Sequence, residues 1–165
     1  MSDQMEIPEG VDTSSKIIEW YVNNYTPANS NIVLLAAASV AKLELFLLKP
    51  GTKFSLDTIL SAQQIADGTK KREEVLPTMH AMMSYWMEVC EEDTSTYDLD
   101  AQASWLADAV IDQEDDHLYE VLIRYEFHDF FREKAAEICI ELVRSDRATK
   151  RMREKSQEEI EALGL

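Results

Sequence analysis

His117 stands three residues after Glu114, and His128 directly precedes Asp129; these pairings have the spacing of metal chemistry. Glu-x-x-His is a ligand motif that di-iron helical bundles use twice, together with further glutamates from other helices. Here it occurs once. His-Asp is the dipeptide of metal-dependent phosphohydrolases, which also need an upstream histidine and a late aspartate at suitable positions, places that His80 or His117 and Asp146 fill only by special pleading. Neither ligand set is complete, so no metal is assigned, and His128 is read as a histidine at the edge of a core helix. No serine, histidine and acid arrangement with a nucleophile turn is present, so no catalytic residue is assigned. The four glycines, Gly10, Gly51, Gly68 and Gly164, all lie more than ten residues apart. That spacing leaves no phosphate-cradling loop and no G-x-G-x-x-G turn, and no cofactor is expected.

The one cationic triplet before the C-terminal third, Lys70, Lys71 and Arg72, follows a pattern that suggests a helix-turn-helix. Ser61 and Gln64 match a capping box, the segment Ala62 to Asp67 reads as a short helix, and Gly68 suits its C′ position. Val75, Leu76, Met79, Met82, Met83 and Trp86 then recur at helical spacing. Pro77 requires that this second helix start near Glu74 or be kinked. In a helix-turn-helix the N-terminal residues of the recognition helix enter the DNA groove. Here Glu73 and Glu74 follow the triplet at once, and the chain carries a formal charge of −16. From Glu73 to Ile123 there are fourteen acidic residues and no Lys or Arg, while basic residues cluster from Arg144 to Lys155. Phosphate contacts supply much of the affinity of DNA-binding proteins, so nucleic acid is disfavoured as a partner.

The elements that must position these residues are mostly helical, because glycine and proline are scarce and helix formers run in long stretches. Residues 1–12 read as a flexible leader without the features of a signal peptide. Asp12 or Thr13 caps a first helix with Ile17, Ile18, Trp20 and Tyr21 on one patch. Asn29 or Ser30 caps a second over 32–48, apolar nearly all round and therefore buried. Its apolar run is too short for a bilayer, so no membrane is expected. Met87, Val89, Tyr97 and Leu99 alternate with polar residues around the turn "EEDTST" and predict a short β-hairpin, with "TKFSLD" as a third small strand. A hairpin after a helix-turn-helix is a winged helix, so the fold expected is mostly α, a winged-helix-like core over 13–100 with a helical extension over 101–165. In the extension we expect a helix carrying Trp105, Leu106, Ala109 and Val110, a long one over 118–143, and a charged one over 147–163. Cys90 and Cys139 are read as free thiols of a reducing cytosol, which places the chain in the cytoplasm.

The order of "IVLLAAASVAKLELFLL", "LSAQQIA", "VLPTMHAMMSYWMEV" and the acidic "CEEDTSTYDLD" resembles the N-terminal winged-helix dimerisation domain of small-molecule O-methyltransferases. The resemblance covers about residues 15–163. That family binds its methyl donor in a following doubly wound domain, which has no counterpart in these residues, so none of its cofactor or catalytic residues carries over. What the resemblance implies is a non-catalytic dimerisation module: a stand-alone relative, a partner of a separate catalytic subunit, or a fragment. The partner is then a second copy or a larger protein, with helices 32–48 and 118–143 at the interface. The alternatives are a transcription regulator that contacts DNA through Lys70, Lys71 and Arg72, with the 144–155 cluster of a dimer mate; a small enzyme or ligand-binding protein with a pocket near Trp86, Tyr125 and His128; and an acidic decoy of DNA.

Overall fold

The computed structural model describes residues 6–43, 53–89, 99–127 and 129–164, which form seven helices and no strand. They are α1 (Ser14–Asn24), α2 (Ile32–Ala41), α3 (Lys53–Ala66), α4 (Arg72–Val89), α5 (Leu99–Asp112), α6 (Asp115–Glu126) and α7 (Asp129–Ala162). α2 occupies the centre and packs on α1, α3, α5, α6 and α7. Eight of its ten residues are buried, and Ala36, Ala37, Ala38 and Ala41 let the surrounding helices approach closely. One hydrophobic cluster runs from Ile17 through Leu106 and Leu122 to Val143. The apolar helix expected to meet a second subunit is thus largely covered by five neighbouring helices of its own chain, with Leu35 and Ser39 partly exposed.

Several sequence-based expectations are corrected. Met87 and Val89 belong to α4, Leu99 opens α5, and Lys53 to Asp57 belong to α3, so no strand of the expected hairpin wing is present among the described residues. Residues 90–98 of the hairpin, with Tyr97 and the turn, and 44–48 of the second helix lie outside the described residues. The physical reason lies in the side-chain period. Ile59, Ala62, Ile65 and Ala66 bury one helical face of α3, and α4 buries Val75, Met79 and Met82, spacings that a strand cannot bring to one side. Ser61 consequently sits inside α3 and its S-x-x-Q motif is not a start signal. α4 begins at Arg72 and contains Pro77, whose missing N–H leaves the Glu73 carbonyl without its helical donor. The expected helix 118–143 is two helices, broken at Phe127, and the expected break between 143 and 147 is absent. "VRSDRATK" has no glycine or proline to stop it, so α7 continues for 34 residues, about 51 Å.

Gly68 does end a helix as expected. It takes φ +78°, its N–H donates to the Ile65 carbonyl, and Thr69 N–H donates to that of Gln64, the two bonds of a Schellman motif. A Cβ on Gly68 would meet nothing within 4 Å, so the cost of a side chain there is backbone strain alone. Gly68→Ala is expected to lower stability by about 1 kcal/mol, measured by urea denaturation, with Gly68→Asn costing less because asparagine tolerates the left-handed region.

Polar groups stitch the bundle where helices end. Thr13 is the N-cap of α1 but makes no side-chain cap bond. The free donors there are met from α6: Glu126 Oε1 accepts from Ser14 Oγ at 3.0 Å and Ser15 N–H at 2.8 Å. α2 is capped one residue later than expected, at Asn31, and Asn29 Oδ1 accepts from the Asn31 N–H at 2.8 Å. The Asn29 amide donates to the Ala66 carbonyl at 3.1 Å, tying this loop to the end of α3.

Candidate functional site

The residues singled out from the sequence are dispersed. Lys70 and Lys71 are exposed in the turn after α3, but Arg72 is half-buried and donates from Nη1 to the Val110 carbonyl at the end of α5. One of the three cations of the triplet therefore holds two helices together. Glu73 and Glu74 stand exposed in the first turn of α4, where the helix dipole favours them. His80 is exposed on α4. Trp86 is half-buried near the end of α4, whereas Tyr125 has no exposed surface and sets its ring against Phe131 at 5.7 Å, edge to face. His128 lies outside the described residues, as does Cys90.

His117 is in the first turn of α6. Its Nδ1 lies 2.9 Å from Asp112 Oδ2 and its Nε2 lies 3.9 Å from Glu114 Oε2, so two carboxylates flank the ring. Arg124, two turns along α6, places its guanidinium 3.5 Å above the Trp105 ring of α5. These groups bridge the α5–α6 joint. No cluster of three or more His, Cys, Asp or Glu among the described residues is arranged to hold a metal ion. Cys139 is buried in α7, and burial, with the Glu126 charge adding to it, pushes its thiol pKa well above the ordinary value. As a thiol kept neutral in the core it is a packing group rather than a nucleophile.

The most elaborate polar site centres on Asp146, which the sequence presents as one acidic residue in a basic run and as the late aspartate of an incomplete His-Asp pattern. It is buried on α7, with Oδ2 accepting from Tyr21 Oη at 2.5 Å and from Ala28 N–H at 2.8 Å, and Oδ1 accepting from Asn29 N–H at 2.8 Å. Arg153 Nη1 donates to the Ala28 carbonyl at 3.0 Å, and Arg147 lies over the Tyr25 ring, 5.0 Å from its centre. Tyr25 stacks in turn on Tyr21 at 5.4 Å. α7 thereby clamps the α1–α2 loop. A signal was present: Ala135, Cys139 and Val143 continue to Asp146 at spacings of four, four and three, which puts the carboxylate on the buried stripe.

Burial, then the bond to Asp146, raises the Tyr21 pKa well above the usual 10. Burial and the charges of Asp115, Glu19 and Asp116 push Tyr119 up to about 12. Both phenols keep their protons in the folded state after the unfolded chain has lost them, so their contribution is intact below pH 10 and fades as pH rises beyond it. Stability is expected to fall steadily above pH 10, and Tyr21→Phe with Tyr119→Phe should flatten that fall in denaturation series followed by circular dichroism.

Two open features face solvent. A groove of about 410 Å³ runs along α7, lined by Leu43, Phe130, Lys134, Glu137, Ile138 and Glu141. Beyond Asp146, α7 buries no residue; from Met152 to Gly164 every side chain is exposed, including Met152, Ile160 and Leu163. No helix of the described residues is long and apolar enough to cross a membrane. The chain matches no family model, no curated protein and no solved structure.

Proposed function

We propose that this chain is a non-catalytic interaction module that works by association with protein. The observation that carries the reading is the second half of α7. The roughly four helical turns from Arg147 to Ala162 bury none of their residues, yet keep Met152 and Ile160, with Leu163 just beyond, on the surface. Arg147 and Arg153 tie its first turns to the α1–α2 loop, but a charged helix that buries no apolar face is marginal in water, since most helical stability in proteins comes from such burial. A second protein surface supplies that burial. The likeness to the dimerisation domain of O-methyltransferases belongs to this reading and is supported by the order of sequence segments; the helix-turn-helix of α3 and α4, with its Gly68 turn, is consistent with it, whereas the described residues lack the wing.

The regulator reading has less support, because Arg72 already serves Val110 and two glutamates follow it. The test is recovery of partners from the native host with the intact chain as bait, beside the variant Met152→Glu/Ile160→Glu/Leu163→Glu. Copies of the chain or a discrete partner should be retained by the parent and lost by the variant. If the two baits recover the same proteins, the exposed end of α7 is not the functional surface. A random-sequence duplex at low salt, where charge steering is strongest, should show no binding that depends on Lys70 and Lys71.

A further inference from the structure

The polarity of the exposed end of α7 is arranged symmetrically about Ser156. One face of this end carries Thr149, Met152, Ser156, Ile160 and Leu163, with Met152 and Ile160 four residues to either side of Ser156 and Thr149 and Leu163 seven, while the uncharged Ala148, Gln157 and Ala162 lie off that face. At 100° per residue these five lie within an arc of about 80°, one stripe along the helix. The charges are arranged in the opposite sense. Residues 147–155 hold five cations and one carboxylate, and residues 157–164 hold three carboxylates and no cation. A stripe that repeats on reversal, bordered by charges that change sign on reversal, is complementary to a copy of itself running the other way.

Resting on the association reading, we infer that the partner of this stripe is a second copy of the chain, paired antiparallel about a two-fold axis at Ser156. In that register Met152 of each copy packs on Ile160 of the other. Lys155 of each copy lies beside Glu159 of its mate along one flank of the seam, so the pair is repeated twice about the axis. Lys155 and Glu159 form no ion pair within the described residues of one chain. A parallel pair would instead set the five cations against five cations.

The overlap also ends in the right place. Leu163 of the second copy comes opposite Thr149, which lines a depression of about 170 Å³ with Ala28, Ile32, Leu35, Ser145 and Arg153. The stripe runs continuously into this depression, so the tip of each helix finds apolar surface beside α2 of the other copy. A closed two-fold contact of this kind uses the same patch on both partners and stops at two.

The experiment uses the full chain. Light scattering of the parent at high micromolar concentration should report a dimer. Lys155→Glu, which reverses two contacts in the symmetric pair, should weaken it by about tenfold, and adding Glu159→Lys to the same chain should restore it. In a Cys90→Ser background, mild oxidation of Met152→Cys mixed with Ile160→Cys should give only the mixed disulfide. The double variant should give a doubly linked dimer, since residues 152 and 160 of one helix are about 12 Å apart and cannot join each other. All the substituted positions on α7 are exposed or half-exposed, and thermal melts should confirm that the fold is kept. A monomeric parent overturns the inference. So does a self-linked Met152→Cys dimer, which means parallel pairing, or a dimer indifferent to both charge variants. Capture of a different host protein by a monomeric chain would overturn this inference while leaving the association reading intact.

Discussion

Asp146→Ala is expected to cost about 3–5 kcal/mol, a large share of the stability of a domain this size. One carboxylate receives three donors, the Tyr21 hydroxyl and the amides of Ala28 and Asn29, inside the seam between α7 and the α1–α2 loop. Hydrogen bonds to an ionised acceptor are stronger than neutral ones, and truncation removes the shared acceptor of three donors at once. Asp146→Asn keeps one acceptor oxygen but turns an amide group toward donors, so it should lose about 2–3 kcal/mol. Tyr21→Phe removes one donor and should lose less than either. Urea denaturation followed by circular dichroism measures all three. A loss below about 1 kcal/mol for the alanine variant would show that Asn29, bonded to Ala66, holds the loop without help.

Phe131→Ala is expected to be as damaging, at about 3–5 kcal/mol, whereas Phe130→Ala should stay within about 0.5 kcal/mol. The two residues are adjacent, and both are phenylalanine, but Phe131 is 1% exposed and Phe130 is 50% exposed. Phe131 meets the edge of Tyr125 across the α6–α7 joint, and removing its ring opens a cavity between α6 and α7 that a packed bundle can only partly close. Phe130 lines the open groove beside Leu43 and Ile138. Differential scanning calorimetry separates the two outcomes. Equal losses would mean that Phe130 is covered in solution, and the groove with it.

The helices that were legible beforehand are those whose apolar period is unambiguous. α1 and α5 stand where helices were expected because Ile17, Ile18 and Tyr21, and then Leu106, Ala109 and Val110, recur on one face. The errors fall where a short pattern is compatible with two periods. Met87 and Val89 alternate like a strand, yet both belong to α4, where Met87 is exposed. Ser61 and Gln64 match a capping box, yet nothing in those four residues shows that the helix began eight residues earlier. The break at Phe127 carries no glycine or proline, and the packing of Tyr125 against Phe131 places it.

The same division holds for the candidate sites. The absence of phosphate loops, the sign of the surface charge and the all-round apolar character of 32–41 follow from residue types alone, since composition sets field and burial before any fold is chosen. The roles of Arg72, Glu126 and Asp146 follow from tertiary structure, for each bonds to a segment far away in the chain: Arg72 to Val110, Glu126 to Ser14 and Ser15, Asp146 to Tyr21, Ala28 and Asn29. A charged side chain reads as solvent-facing until some distant backbone group needs it. Local sequence thus determined a helical, acidic, tightly packed chain, and only the packing of its helices decided which charges are structural and which end of α7 is left exposed.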